Sequence, residues 1–166
     1  MDKNEARLYE IFEEIGITEY SVFEHPAITS VEEADALDLM MGGLNLKNLL
    51  IREKKAGRFY MVIIDVHRRM DLKHFKEVTG WGKVNFASQE EMWALLQVIP
   101  GAVTPLAIFN DTEKLITIVL GNEFAAAPDD EIVSFHPCRN TATLSMKHGD
   151  FRRFLEHMGC EIVYEK

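Results

Sequence analysis

The sequence predicts a mixed α/β domain of the α+β kind, a mixed and partly antiparallel sheet flanked by helices. Apolar runs of strand length alternate irregularly with helical periodicities, which is the pattern of such a domain. Two of these runs, Leu46–Arg52 and Arg58–Asp65, are separated only by a polar turn holding Lys54, Lys55 and Gly57, a hairpin signal. The chain has 166 residues, 47% hydrophobic and 27% charged, enough to close one core without staples. No repeat, low-complexity stretch or linker divides it, so residues 1–166 read as a single domain.

Taken in order, Leu8, Ile11, Phe12 and Ile15 fall at helical spacing, Asp2 and Glu5 stand as a capping box, and Gly16 ends a helix over residues 3–15. Tyr20–Glu24 reads as a short strand that stops before His25-Pro26, because proline disfavours helix in the residue ahead of it. Ser30 with Glu33 opens a short helix through Leu37, broken by Met41-Gly42-Gly43. After the hairpin, Asp71 caps a helix carrying Leu72, Phe75 and Val78. Ser88 with Glu91 starts another, which bears Met92, Leu95 and Leu96 and runs up to Pro100-Gly101. Leu106–Phe109 and Leu115–Leu120 repeat the strand pattern on either side of a turn-rich linker, as do Ile132–Phe135 and Ala142–Met146 around His136-Pro137. A last helix at residues 149–158 lines up Phe151, Phe154, Leu155 and Met158, and Glu161–Tyr164 closes as a strand.

Composition excludes several classes. Charges throughout residues 1–15 rule out a signal peptide there, and no apolar run approaches the roughly 20 residues of a membrane helix, so the expected setting is the cytoplasm, away from membranes. Cys138 and Cys160 make no disulfide framework. A net charge of -9 argues against a general nucleic-acid binder, DNA included, because that binding is dominated by cations on phosphate. It leaves room for a local basic strip, with candidates at Lys47, Arg52, Lys54, Lys55 and Arg58, at Arg68 and Arg69, and at Lys147, Arg152 and Arg153.

Three polar segments sit beside strands. Lys47-Asn48 puts an ammonium in an apolar run, where it must be paired, solvated in a cleft, shifted in pKa, or stationed on an edge strand. The Gly101–Pro105 loop combines a residue that tolerates close approach with one that fixes φ and removes a donor. His136 ends a strand that Pro137 stops, a position where catalytic groups are often presented, although backbone partners alone could satisfy the ring. Zinc at His136-x-Cys138 would want four ligands, which the sequence does not supply, so no metal and no cofactor is expected. Cys138 as a nucleophile would need a base and an electropositive setting.

His25-Pro26-Ala27-Ile28-Thr29-Ser30-Val31-Glu32-Glu33-Ala34, Lys47-Asn48-Leu49, Gly101-Ala102-Val103-Thr104-Pro105, Asn110-Asp111 and His136-Pro137-x-x-Asn140-Thr141-Ala142-Thr143 occur in one order along nearly the whole chain. Together they resemble the motifs of the prolyl-tRNA editing proteins, freestanding bacterial deacylases similar to the editing domain inserted in bacterial prolyl-tRNA synthetase. Asp150-Phe151-x-x-Phe154-Leu155 is similar to the subgroup that clears alanine mischarged onto proline tRNA.

That resemblance implies an α/β fold around a mixed sheet and a trans-editing activity, hydrolysis of the ester between a wrong amino acid and the terminal adenosine. It implies catalytic positions at Lys47, Gly101 and His136, the last also bounding the amino-acid pocket. Substrate binding falls to Ser30, Asn48, Ala102, Val103, Thr104, Pro105 and Asn140, with the glycine loop holding the carbonyl through backbone groups. Where many relatives carry Phe-Thr before Val-Glu-Glu-Ala, this chain has Thr29-Ser30. The expected partner is the acceptor end of aminoacylated proline tRNA, with prolyl-tRNA synthetase a further candidate. With no carboxylate standing out as base, the free ribose hydroxyl of the substrate is the expected helper of the attacking water. Clearance of cysteinyl or seryl esters, or a non-catalytic module binding aminoacyl-tRNA or a synthetase, are the alternatives.

Overall fold

The structure is a computed structural model that describes residues 1–28 and 30–166. Helix α1 (Lys3–Glu14) begins at Asp2, whose carboxylate accepts from the backbone N–H of Asn4 at 2.6 Å and of Glu5 at 3.2 Å. The expected reciprocal half from Glu5 gives way to a stronger competitor. The Glu5 carboxylate is buried and accepts from Arg139 at 2.7 and 3.2 Å and from the Tyr9 hydroxyl at 2.7 Å. Charge-assisted bonds of this kind are roughly twice as strong as neutral ones.

Strand β1 (Tyr20–Glu24) precedes α2 (Val31–Met41), which is opened by the Ser30 hydroxyl accepting from Glu33 N–H at 3.1 Å and runs four residues beyond the expected Leu37. The hairpin is present: β2 (Leu46–Glu53) pairs antiparallel with β3 (Phe59–Asp65), placing Lys47 opposite Ile64 and Asn48 opposite Ile63. Asp71 caps α3 (Leu72–Thr79), and both halves of the Ser88/Glu91 capping box are made at α4 (Gln89–Leu96). Helix α4 ends earlier than its pattern suggests, at Gln97 in the left-handed region with φ 55.

Leu106–Phe109 departs from expectation. Pro105 at the first position and the Thr104 hydroxyl, which accepts from Leu106 N–H at 3.2 Å, start a 3-10 helix over Pro105–Asn110 in place of a strand. Four apolar residues between a helix-starting pair and a turn carry no period that separates the two. Strands β5 (Ile116–Leu120), β6 (Ile132–Phe135), β7 (Ala142–Lys147) and β8 (Ile162–Tyr164) and helix α6 (His148–Met158) follow the expected order. The intervening β4 (Val84–Phe86) and α5 (Asn122–Ala125) are too short to show periodicity in sequence.

The strands form two sheets. A mixed five-stranded sheet has the order β4-β2-β3-β5-β8, with β3, β5 and β8 parallel and β4, β2 and β3 antiparallel; a second, antiparallel sheet has the order β1-β7-β6. The sheets meet where Leu44 N–H donates to the Ile132 carbonyl at 2.9 Å and Leu44 bridges Val133. Gly43 makes that meeting possible: its φ is +80, and a Cβ there would collide with the Ile132 backbone. The main core fills the space between the sheets with Leu8, Phe12, Ile63, Phe135, Phe151 and Phe154, while a smaller core around Phe75 and Trp81 lies on the other face of the larger sheet. Among the described residues, no helix is long and apolar enough to cross a membrane.

Candidate active site

The junction of the two sheets opens into a cavity of about 230 Å³. One wall is the start of β2, from Asn45 to Asn48; another is the end of β6, from Ser134 to His136, with Thr143 of β7 behind it. Pro100, Gly101 and Val103 form the third side, and Ile28, Ala34 and Leu37 complete the lining. Lys47, Asn48, Gly101, Val103 and His136, far apart in sequence, therefore line one space. Strand β4 pairs with β2 only over Ile51–Glu53, so β2 runs past its neighbour and its first residues lie at the cavity.

The Lys47 ammonium, half-buried, donates to the backbone carbonyl of Arg68. An ammonium has three donors, and among the described residues no other partner takes the remaining two. Asn48 has a different task. Its side-chain amide donates to the Val103 carbonyl at 3.2 Å and so straps the Gly101–Pro105 loop to β2, while its Oδ1 is buried with no partner among the described residues.

His136 is fixed by Nδ1, 2.7 Å from the Ala142 carbonyl. A carbonyl only accepts, so Nδ1 carries the proton and Nε2 is left as an acceptor. Burial pushes the His136 pKa down, against a smaller opposing effect of the Ala142 carbonyl, and nearby His25 lowers it further. The ring is thereby kept neutral. His25 is set by the same logic, with Nδ1 2.7 Å from the Pro26 carbonyl and Nε2 2.8 Å from the Thr143 hydroxyl, and its ring centre is 6.2 Å from that of His136.

The remaining expected residues divide between the cavity and its support. Gly101 sits at the surface of the cavity without the positive φ that glycine alone favours; a Cβ there would touch only the Asn140 side chain, at 3.4 and 3.9 Å. Asn140 stands behind Gly101 and does not line the cavity. Ala102, Thr104 and Pro105 are fully enclosed by the core, with the Thr104 hydroxyl committed to capping, and Ser30 caps α2 away from the lining. Thr29 lies outside the described residues. The Asn110-Asp111 motif is structural: Asn110 donates to Leu96 O at 2.8 Å and to Asn4 Oδ1 at 3.1 Å, and the buried Asp111 carboxylate accepts from Leu115 and Ile116 N–H at 3.0 and 2.8 Å.

Cys138 is buried and its thiol is pushed up to about 12 by that burial, which removes it as a nucleophile. The basic stretches are mostly neutralised by pairing. Arg52 meets Glu91 at 3.0 Å, Arg58 meets Glu161 at 3.1 Å, Arg152 meets Asp129 at 2.8 Å and Arg153 meets Asp150 at 2.9 Å. Lys47 and Lys54 lie at opposite ends of β2 and so do not form one strip with Arg52. Asn45, Val66, Thr143 and His25, in or against the cavity, were not singled out from sequence, and Arg68 stood only as a basic-strip candidate. His25 and Thr143, inside the first and last motifs, carried a signal that could have brought them forward.

Residues 25–154 match the sequence model of the aminoacyl-tRNA editing domain. The chain is 27% identical over 140 residues to the prolyl-tRNA editing protein ProX of Acetoanaerobium sticklandii, covering 84% of each. It is 35% identical over 138 residues to prolyl-tRNA synthetase associated domain-containing protein 1 of Xenopus laevis, covering 82% of this chain and 81% of the relative. Its fold is shared with the crystal structure of a protein proposed to be a trans-editing enzyme for prolyl tRNA synthetase. The TM-score is 0.71 at 21% identity, over 100% of this chain and 98% of the other.

Proposed function

The chain belongs to the aminoacyl-tRNA editing domain family, and we propose that it hydrolyses the ester joining alanine to proline tRNA, releasing free alanine and uncharged tRNA. The observation that carries this reading is that Lys47, Asn48, Gly101, Val103 and His136 line one small cavity. At about 230 Å³ it has room for an aminoacyl group and leaves the nucleotide to its mouth.

Ester hydrolysis develops negative charge on the carbonyl oxygen, and the free donors of the Lys47 ammonium, with backbone N–H groups of the Gly101 loop, are suited to stabilise it. Water adds to the carbonyl carbon, the bond from that carbon to the ribose oxygen breaks, and the ribose oxygen leaves with the proton that the water gave up. Among the described residues lining the cavity there is no carboxylate, so the neighbouring free ribose hydroxyl relays that proton. The neutral His136 accepts at Nε2 from the α-ammonium of the amino acid, and orients the ester against Lys47.

Selectivity follows from the lining. Ile28, Leu37, Val103 and Phe135 are apolar, and the nearby hydroxyls are engaged: Ser134 with Ser145 at 2.8 Å and Thr143 with His25. A methyl side chain suits these apolar residues better than a serine hydroxyl, which against them would lose its water partners, with Lys47 and His136 given over to the ester and the α-ammonium. Sparing proline requires a clash, since attraction alone separates substrates one methylene apart by only about 1–3 kcal/mol. We read residues 1–166 as one working unit acting in the cytoplasm on charged tRNA, with the acidic net charge keeping tRNA affinity modest. The test is a panel of proline tRNAs charged with alanine, serine, cysteine or proline and incubated with the pure protein. Alanyl ester is lost fastest and prolyl ester persists; faster loss of cysteinyl or seryl ester moves the substrate, and loss of none leaves a binding module.

A further inference from the structure

Among the described residues the Lys47 ammonium has one partner, the carbonyl of Arg68, so what fixes the Arg68 backbone bears on where Lys47 stands. Arg68 lies just after β3 in a short loop that also supplies Val66 to the cavity wall. The loop backbone is tied down by Val66 N–H to Asn45 O at 2.9 Å, Arg68 N–H to Asp65 O at 3.0 Å, and His67 N–H to Asp65 Oδ1 at 2.8 Å. The Arg68 side chain is tied more tightly still. It makes two parallel bonds to Glu165, both 2.8 Å, and a third to Glu123 at 2.7 Å, over the face of Phe75. Glu165 is buried and fully engaged, its Oε1 also accepting from Asn122 N–H at 2.9 Å and its Oε2 from His74 Nε2 at 2.5 Å.

We propose that Arg68 is a positioning residue for Lys47 and that Glu165, which follows β8, is the anchor that sets where the Arg68 carbonyl holds the ammonium. The proposal rests on the reading above that Lys47 serves ester hydrolysis. Among the described residues lining the cavity none belongs to this cluster, so its effect on turnover passes through the loop. A bidentate guanidinium–carboxylate pair fixes both distance and plane, which a point charge does not.

Removing Arg68 would strand the buried Glu165 carboxylate and the partly buried Glu123, so Glu165 is the position to change. In Glu165→Gln the shape is kept, but wherever the amide NH2 stands it meets an Arg68 N–H together with the Asn122 or His74 donor. The fork then opens. A displacement of about 1 Å at a catalytic group can cost about a hundredfold, so kcat for deacylation of alanyl proline tRNA is expected to fall about ten- to a hundredfold with KM nearly unchanged. Arg68→Lys, which keeps the charge and loses the fork, is the second variant should Glu165→Gln fold poorly, and it should show the same kcat loss. Each rate is taken per folded molecule, from the fraction folded at the assay temperature.

The decisive arm is the double variant. If the anchor acts through Lys47, Glu165→Gln adds no further loss to Lys47→Ala. Losses that multiply, or a normal kcat in both single variants beside a crippled Lys47→Ala, overturn the positioning role. A normal kcat in Lys47→Ala itself overturns instead the reading of Lys47 on which it rests.

Discussion

Replacing Lys47 by alanine separates catalysis from folding more cleanly than any other single change in this molecule. The ammonium spends one donor on the Arg68 carbonyl, and in the proposed function its two further donors serve the substrate. Loss of one donor to a developing oxyanion costs about 2.7–4 kcal/mol, or about a hundred- to a thousandfold in kcat. The structural cost is small by comparison. Lys47 has no ion-pair partner among the described residues, so the fold loses one side-chain hydrogen bond, about 1 kcal/mol, which lowers the melting temperature of a domain this size by about 2–4 °C. Single-turnover deacylation of alanyl proline tRNA with enzyme in excess, beside a thermal melt, reads both numbers. A rate within about threefold of the native protein would refute the assignment, and so would a rate loss that tracks a large drop in melting temperature. Lys47→Arg restores charge but brings a planar fork to a site built for a point donor, so it should recover only part of the rate.

Three further outcomes follow from the same geometry. Burial holds the His136 pKa below the ordinary imidazole value of 6.5, so kcat/KM should stay level as pH falls through 6.5 and decline only below it; a decline centred at or above 6.5 would put a charged ring in the site. The Arg68 guanidinium, with Asn122 N–H and His74, holds Glu165 down at about 2 from an ordinary 4.5. Its contribution, about 3 kcal/mol, is present above pH 4.5 and lost as pH falls toward 2, and acid melts of the Glu165→Gln protein should lack that part of the slope. Gly43→Ala forces a Cβ onto the Ile132 backbone at a φ of +80, so chemical denaturation should register a loss of about 2–4 kcal/mol, whereas Gly101→Ala, with only Asn140 to meet, should stay within about 0.5 kcal/mol of native.

What could be read from sequence was what local rules determine. Asp71, Ser88 and the Leu46–Asp65 hairpin announce themselves through caps and turns a few residues long, and they stand where those signals put them. Glu5 failed as a capping partner because its competitor, Arg139, is 134 residues away, and Leu106–Phe109 failed as a strand because a four-residue run has no period. At the site, Lys47, Gly101 and His136 stood out as polar or permissive residues beside apolar runs, and they share one cavity. Asn140 and Thr104 belonged to the same motifs but support the loop from behind, a difference that only the third dimension expresses. Arg68 was legible merely as a surface cation, because neither its carbonyl at Lys47 nor its carboxylate partners leave any trace in local sequence.

The matched editing region ends at residue 154 and begins at residue 25, yet each polar wall of the cavity is held from beyond those limits. On the histidine side, Glu5 of α1 grips Arg139, and the same guanidinium reaches Glu24 at 2.6 and 3.0 Å and the Thr141 carbonyl at 3.3 Å. It thereby joins the end of β1, just before His25, to the start of β7, where the Ala142 carbonyl sets the tautomer of His136. On the lysine side, Glu165 grips Arg68, whose carbonyl sets Lys47. In each case a buried carboxylate from an outlying segment fixes an arginine, and the arginine's stretch of backbone meets a side chain that lines the cavity. A buried pair of this kind adds little net stability, whereas removing one partner costs about 3–5 kcal/mol. Such pairs are therefore better understood as devices that hold geometry, and here the geometry they hold is the separation between an ammonium and an imidazole across a cavity the size of an aminoacyl group.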